Sequence, residues 1–186
     1  MTKVFGIGFH KTGTSSLGRA LEILGYKSCL GANELRNNLG ELRMMRCLFS
    51  RDYGQLYKYA DEYDAFTDLP WFAIYKSLDT HYPNSKFILT IREEDAWLAS
   101  AKRYFGNSAS PFRLWLYGLP NPMSNDDVFL NKYKAHNQEV INYFSGRNCL
   151  LVIDFNEENK WEVICDFLNK PIPTIAYPHM NSRGTR

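Results

Sequence analysis

A lysine two residues ahead of a glycine is the first chemical signal in this chain. In the stretch from Val4 to Leu21, VFGIGFHKTGTSSLGRAL, Gly8 and Gly13 have the separation of the two glycines in an ATP-binding phosphate loop. That loop carries its lysine directly after the second glycine; here Thr14 stands in that place and the lysine is Lys11. An apolar run precedes the stretch and an amphipathic one follows it, which predicts strand, loop and helix. In that context the backbone N–H groups of Gly13, Thr14, Ser15 and Ser16 point at an anion, and the helix dipole favours negative charge. The hydroxyls of Thr12, Thr14, Ser15 and Ser16 add neutral donors. The plainer alternative is a Ser/Thr-rich helix cap with no ligand.

Two nucleotide chemistries can be weighed on the residues. A dinucleotide fingerprint, G-x-G-x-x-G, begins at Gly6 and Gly8 but meets Lys11 where the third glycine belongs. A small-molecule kinase or other NTPase needs a lysine at the β/γ-phosphates and a carboxylate for Mg²⁺. The run LLVID does end in Asp154, yet an aspartate closing an apolar strand also caps the next turn.

The octapeptide FHKTGTSS, from Phe9 to Ser16, resembles the 5′-phosphosulfate loop of the P-loop sulfotransferase superfamily, which uses 3′-phosphoadenosine 5′-phosphosulfate (PAPS) as donor. That loop has its lysine two residues before the glycine, followed by Thr or Ser. The superfamily's second signature is an arginine closing a buried strand and a serine eight positions on, which KFILTIREEDAWLAS supplies as Arg92 and Ser100. The ending WEVICDFLNKPIP…YPHMNSR is similar to the bacterial branch, His179 included, and Arg183-Gly184 resembles a donor-binding element without its lysine.

The resemblance implies an enzyme that moves a sulfuryl group from PAPS to a hydroxyl or amine of a small acceptor. It would leave 3′-phosphoadenosine 5′-phosphate (PAP) and require no metal. Donor binding then falls to Lys11, Thr12, Gly13, Thr14, Ser15, Ser16, Arg92, Ser100 and Arg183. Lys11 is also catalytic, because a cation near the bridging oxygen stabilises the charge that develops there. Asp68 resembles the Asp-x-Pro position of related bacterial sequences and is expected at a strand's C-terminal edge, where α/β ligands sit. It is the first choice for the base, with a helix cap near Pro70 as its alternative role; His10 is the second choice. The competing readings are a kinase or NTPase, and a nucleotide-binding relative without turnover.

These residues need a scaffold that carries them to one rim. Short apolar runs alternate with segments of helical period, so the chain is expected to be α/β. It reads as a single three-layer P-loop-type domain over 1–186, with a mainly parallel sheet of about five strands flanked by helices. Strands are expected at 3–8, 27–30, 64–68, 86–91 and 149–153. Helices are expected at 14–24, around Leu35, Leu39 and Leu42, at 53–62, 70–82, 94–104 and 126–144, and around Trp161, Ile164 and Leu168. The first strand should be central and beside 86–91, so that Lys11 and Arg92 share an edge. Segment 105–125 is long for a connector and reads as an acceptor lid, with Phe112, Trp115 and Tyr117 lining the acceptor pocket together with Trp71; the alternative for the lid's aromatics is a satellite core. Residues 171–186 read as an irregular C-terminal arm.

Composition adds exclusions. With 186 residues, 45% apolar and 23% charged, the chain suits one globular domain, and its net charge of +2 implies neither nucleic acid nor membrane as partner. No apolar run approaches the ~20 residues that span a bilayer. Cys29, Cys47, Cys149 and Cys165 show no metal-ligand spacing and read as reduced thiols, and the N-terminus enters the first strand without a leader pattern; a cytoplasmic domain is the expectation.

Overall fold

The five apolar runs form strands β1 (Val4–Gly6), β2 (Ser28–Cys29), β3 (Ala65–Thr67), β4 (Lys86–Ile91) and β5 (Leu150–Asp154). All four pairings are parallel, in the order β2-β3-β1-β4-β5, so β1 is central as its sequence predicts. These are the strands of a computed structural model that describes residues 2–180 apart from 30, 122, 124 and 155, and the backbone alone for 32–34 and 36. Arg183, named above as a donor ligand, lies outside the described residues.

Parallel neighbours must be joined by crossovers, which the helices supply. They are α1 (Thr14–Ile23), α2 (Ala32–Leu39), α3 (Glu41–Ser50), α4 (Gly54–Ala60), α5 (Tyr75–His81), α6 (Glu94–Phe105), α7 (Pro111–Tyr117), α8 (Asp126–Tyr143) and α9 (Lys160–Leu168). No described helix is long and apolar enough to cross a membrane.

Side-chain alternation along the strands builds a core on each face. Phe5 and Phe87 join an aromatic-rich cluster with Phe9, Trp71, Phe72 and Trp97, while Val4 and Ile88 face α1 and α9 through Leu17, Leu21 and Ile164. The connection after β1 leads to the β3 side and the connection after β4 leads to β5. The order therefore reverses between β1 and β4, and the crevice at their carboxyl ends is where ligands of open α/β sheets bind.

The structure departs from the sequence reading in three connections. Gly40, at φ 86°, splits the expected helix through Leu35, Leu39 and Leu42 into α2 and α3, and Leu42 becomes 87% exposed. The expected helix from Pro70 is a 3-10 turn over Trp71–Ile74 followed by α5. The connector read as a lid carries a helix of its own, α7, because Pro111 suits the first helical position and Gly118 the left-handed stop.

One contact fixes how the chain leaves β1. A Cβ built on Gly8 would lie 2.0 Å from Thr90 Oγ1, 2.5 Å from its carbonyl oxygen and 2.8 Å from its nitrogen. Two of those three atoms are backbone and cannot swing aside. Gly8→Ala is therefore expected to destabilise the fold by about 1–3 kcal/mol, as overpacking does. Urea unfolding should show the midpoint falling at unchanged slope.

Candidate functional site

The loop between β1 and α1 is held from below by hydrogen bonds. Thr12 Oγ1 donates to the Phe9 carbonyl at 2.6 Å and lies 2.7 Å from Thr90 Oγ1. Its one proton is thus committed, so Thr90 is the donor of the second bond. The Trp97 indole donates to the His10 carbonyl at 2.8 Å, and His136 Nε2 donates to the Ile7 carbonyl at 2.8 Å. His10 Nε2 and the Tyr117 hydroxyl are 2.7 Å apart in the same buried layer. The loop then turns into α1 at Gly13, φ 94°, with no side chain capping the helix. The first N–H groups of a helix have no partner within it. Four Ser/Thr residues at this start serve no cap, so the plainer alternative of a capping cluster does not describe the loop.

The charged side chains stand above that base. Lys11 has φ 68° and Asp68 φ 66°, the left-handed region that non-glycine residues seldom enter. The other described non-glycine residues there, Arg51 and Asn169, are the C-caps of α3 and α9, where a helix end explains the conformation. Neither Lys11 nor Asp68 ends a helix. Each left-handed residue costs on the order of 1–3 kcal/mol, and such residues gather at functional sites. Burial lowers the Lys11 pKa, Asp68 opposes that shift, and Arg92 and Arg103 add to it, so these four charges share one neighbourhood. The Lys11 ammonium lies 3.9 Å from the centre of the Tyr104 ring. Arg92 follows β4, with its guanidinium 3.4 Å from the Lys11 carbonyl; its backbone N–H and C=O both bond the Tyr133 hydroxyl, at 2.8 and 2.7 Å. Ser100 is half-buried, four residues before Tyr104 and so on the α6 face that meets Lys11.

Other expected site residues are placed differently. The Thr12 hydroxyl faces inward, leaving only its backbone for a ligand. Ser16 Oγ accepts the Met180 N–H at 3.0 Å, which ties the described part of the C-terminal arm to the first turn of α1. Trp71 and Phe112, expected to line an acceptor pocket, are 0% and 2% exposed and belong to the core; Tyr117 is buried against His10 and Phe129. Only Trp115 of that set is half-buried. The turn over Trp71–Ile74 has Pro70 at its N-cap, and the Phe72 N–H bonds the Asp68 carbonyl at 3.4 Å. Asp154 Oδ1 accepts the Asn156 N–H at 2.7 Å, the turn-capping role of a strand-ending aspartate. Beside the loop opens a cleft of about 450 Å³, bounded by Thr12, Gly13, Ser16, Asp154, Lys160 and Tyr177.

Residues 3–186 match the profile of the family described as "Sulfotransferase domain". The curated protein "Ava biosynthesis cluster protein M" of Aspergillus versicolor is 25% identical over 215 residues, covering 96% of this chain and 80% of that one. Among solved structures, a sulfotransferase from Alicyclobacillus acidocaldarius superposes with a TM-score of 0.56 at 19% identity, covering 98% of this chain and 85% of the other. At that identity the superposition speaks for the fold.

The buried histidines generate a prediction about acid. Burial brings His10 to about 3, with Lys11 and Arg113 acting in the same direction, and His136 to about 4 against the pull of the Ile7 carbonyl. Both folded values lie below the unfolded one of about 6.5, so between them the unfolded chain binds more protons. Stability is therefore undiminished above about pH 6.5 and falls as pH drops toward 4, by at least about 1 kcal/mol per pH unit. Chemical denaturation from pH 4 to 7 should show that slope. NMR should find neither imidazole titrating between pH 5 and 8.

Proposed function

This chain belongs to the sulfotransferase domain family, and from that premise we propose that it transfers a sulfuryl group from PAPS to a hydroxyl or amine of a small acceptor. The observation that carries the reading is the pair of left-handed residues, Lys11 and Asp68, held on one rim beside the first turn of α1. The donor's charge pattern suits what is there. Its 5′ side presents two linked anionic groups and its 3′ side a phosphate. The N–H groups of Gly13 to Ser16, with Lys11, answer the first; Arg92 with Ser100 answers the second; the cleft next to Ser16 and Tyr177 takes the nucleoside.

When bound, the donor supplies an activated sulfuryl group on an anhydride oxygen. Lys11 neutralises the charge that appears on that oxygen as its bond to sulfur breaks and the bond from sulfur to the acceptor forms. Asp68 accepts the proton that the acceptor's hydroxyl or amine releases. His10, buried and neutral, supports the loop through Tyr117 and takes no part in the transfer. Asp154 accepts the Asn156 N–H in a turn and Thr14 stands where a kinase loop carries its lysine; both favour the sulfuryl reading over the kinase one.

Two experiments test this reading. In thermal-shift measurements without metal, PAP should stabilise the protein more than 5′-AMP does, because only PAP engages the 3′-phosphate ligands. Equal shifts would remove the case for a 3′-phosphate site. The second uses Asp68→Asn. Asparagine enters the left-handed region readily, so the variant should fold with undiminished stability, while its turnover falls by ~10²–10⁴-fold for want of a base. Near-normal turnover would transfer the proton-accepting role to another group or to water.

A further inference from the structure

The last two turns of α6 do more than carry Ser100. Trp97, Ser100 and Tyr104 fall at intervals of three and four, on one face of the helix. At the buried end of that face the Trp97 indole holds the His10 carbonyl at 2.8 Å; at the open end the Tyr104 ring lies under the Lys11 ammonium at 3.9 Å. The neighbouring Phe105 ring is T-shaped to His10, 4.8 Å between centres, and the Arg113 guanidinium lies over it at 4.5 Å. One helix thus fixes the backbone and the side-chain end of the same dipeptide. Tyr104 itself is 67% exposed, so the face it turns to Lys11 is not one the core requires.

We infer that Tyr104 is a positioning residue for Lys11: its ring holds the ammonium at the loop's rim, oriented for the departing oxygen, by a cation–π contact. The inference rests on the catalytic part given to Lys11 above. A free lysine spreads over many rotamers, and burying it in an ion pair would fix it too firmly to follow a moving charge. A half-solvated aromatic face narrows the rotamers while leaving the ammonium's outer hydrogens available. Lys11 has a left-handed backbone, and Arg92 and Arg103 repel its ammonium. Asp68 attracts it from across the rim. Among these groups the ring is the one whose contact with the ammonium is direct, 3.9 Å from its centre.

The test compares Tyr104→Phe, Tyr104→Trp and Tyr104→Leu in the whole chain. Leucine keeps apolar bulk and helix propensity but has no π face. It should lower kcat by about 2–5-fold, the weight of an exposed cation–π contact, with the KM for PAPS unchanged. Phe and Trp should restore the wild-type rate. In a Lys11→Ala background, Tyr104→Leu should cost nothing further, since the ring then has no ammonium to hold. A wild-type kcat in Tyr104→Leu, or an equal loss in both backgrounds, overturns the inference; the second outcome would assign the ring to the acceptor. NMR gives a readout independent of turnover: the Lys11 ε-protons should lie upfield in the wild type and the Phe variant and return to their ordinary position in the Leu variant. Absence of that ring-current shift in the wild type overturns the inference whether or not sulfuryl transfer is found. Loss of transfer with the shift intact would instead count against the function proposed above.

Discussion

The loop depends on a backbone-to-backbone approach that only a hydrogen atom permits. Gly8 lies against the backbone and hydroxyl of Thr90, and Thr90 in turn donates to Thr12 four residues on. Together these two contacts press the chain leaving β1 onto the end of β4. The loop therefore cannot extend the strand and must turn upward through Lys11 before Gly13 releases it into α1. The strain at Lys11 follows from that geometry. It is sustained because the residues on either side are over-determined by packing.

A second consequence is the aromatic bed under the loop. Phe9 sits among Phe72, Trp97, Tyr133 and His136, with ring centres 4.6 to 6.1 Å away. The polar ends of Trp97, Tyr133 and His136 reach backbone groups: the carbonyls of His10 and Ile7, and both backbone groups of Arg92. Trp97 and Tyr133 are themselves stacked, 4.3 Å apart at 5°, so the supports of the loop and of Arg92 form one block. This arrangement keeps both histidines neutral. It also leaves Lys11, Arg92, Arg103 and Asp68 as the charges above an apolar floor, where electrostatic effects are stronger than in bulk water.

The C-terminal arm is joined to the opposite flank of the loop. Trp161 donates to the Ile175 carbonyl at 2.8 Å, Tyr177 packs on Trp161, and Met180 bonds Ser16. The cleft beside the loop is therefore bounded on one side by the arm, and Ser16 is tied to the arm's backbone. A serine hydroxyl that accepts from Met180 still has a proton to donate.

The sequence by itself determined the sheet, the position of β1 at its centre and the loop at the β1–α1 junction. The periods of apolar residues and the glycine spacing are local signals. It also determined that Lys11, Asp68 and Arg92 end on one rim, because each follows a strand of the same parallel sheet. What it left undecided depends on contacts distant in sequence. Leu42 had the helical spacing of a core residue and became exposed, because Gly40 breaks the helix before it and α3 starts anew. Trp71 and Phe112 looked like pocket residues, yet nothing in their local pattern separates an aromatic lining a cavity from one filling a core. Tyr133 meets Arg92 across 41 residues and Trp97 meets His10 across 87, separations at which no period or motif carries information. The left-handed backbone at Lys11 and Asp68 is of the same kind. Neither residue type announces it, and it arises only when the tertiary structure fixes the chain on both sides and leaves the residue between no other conformation.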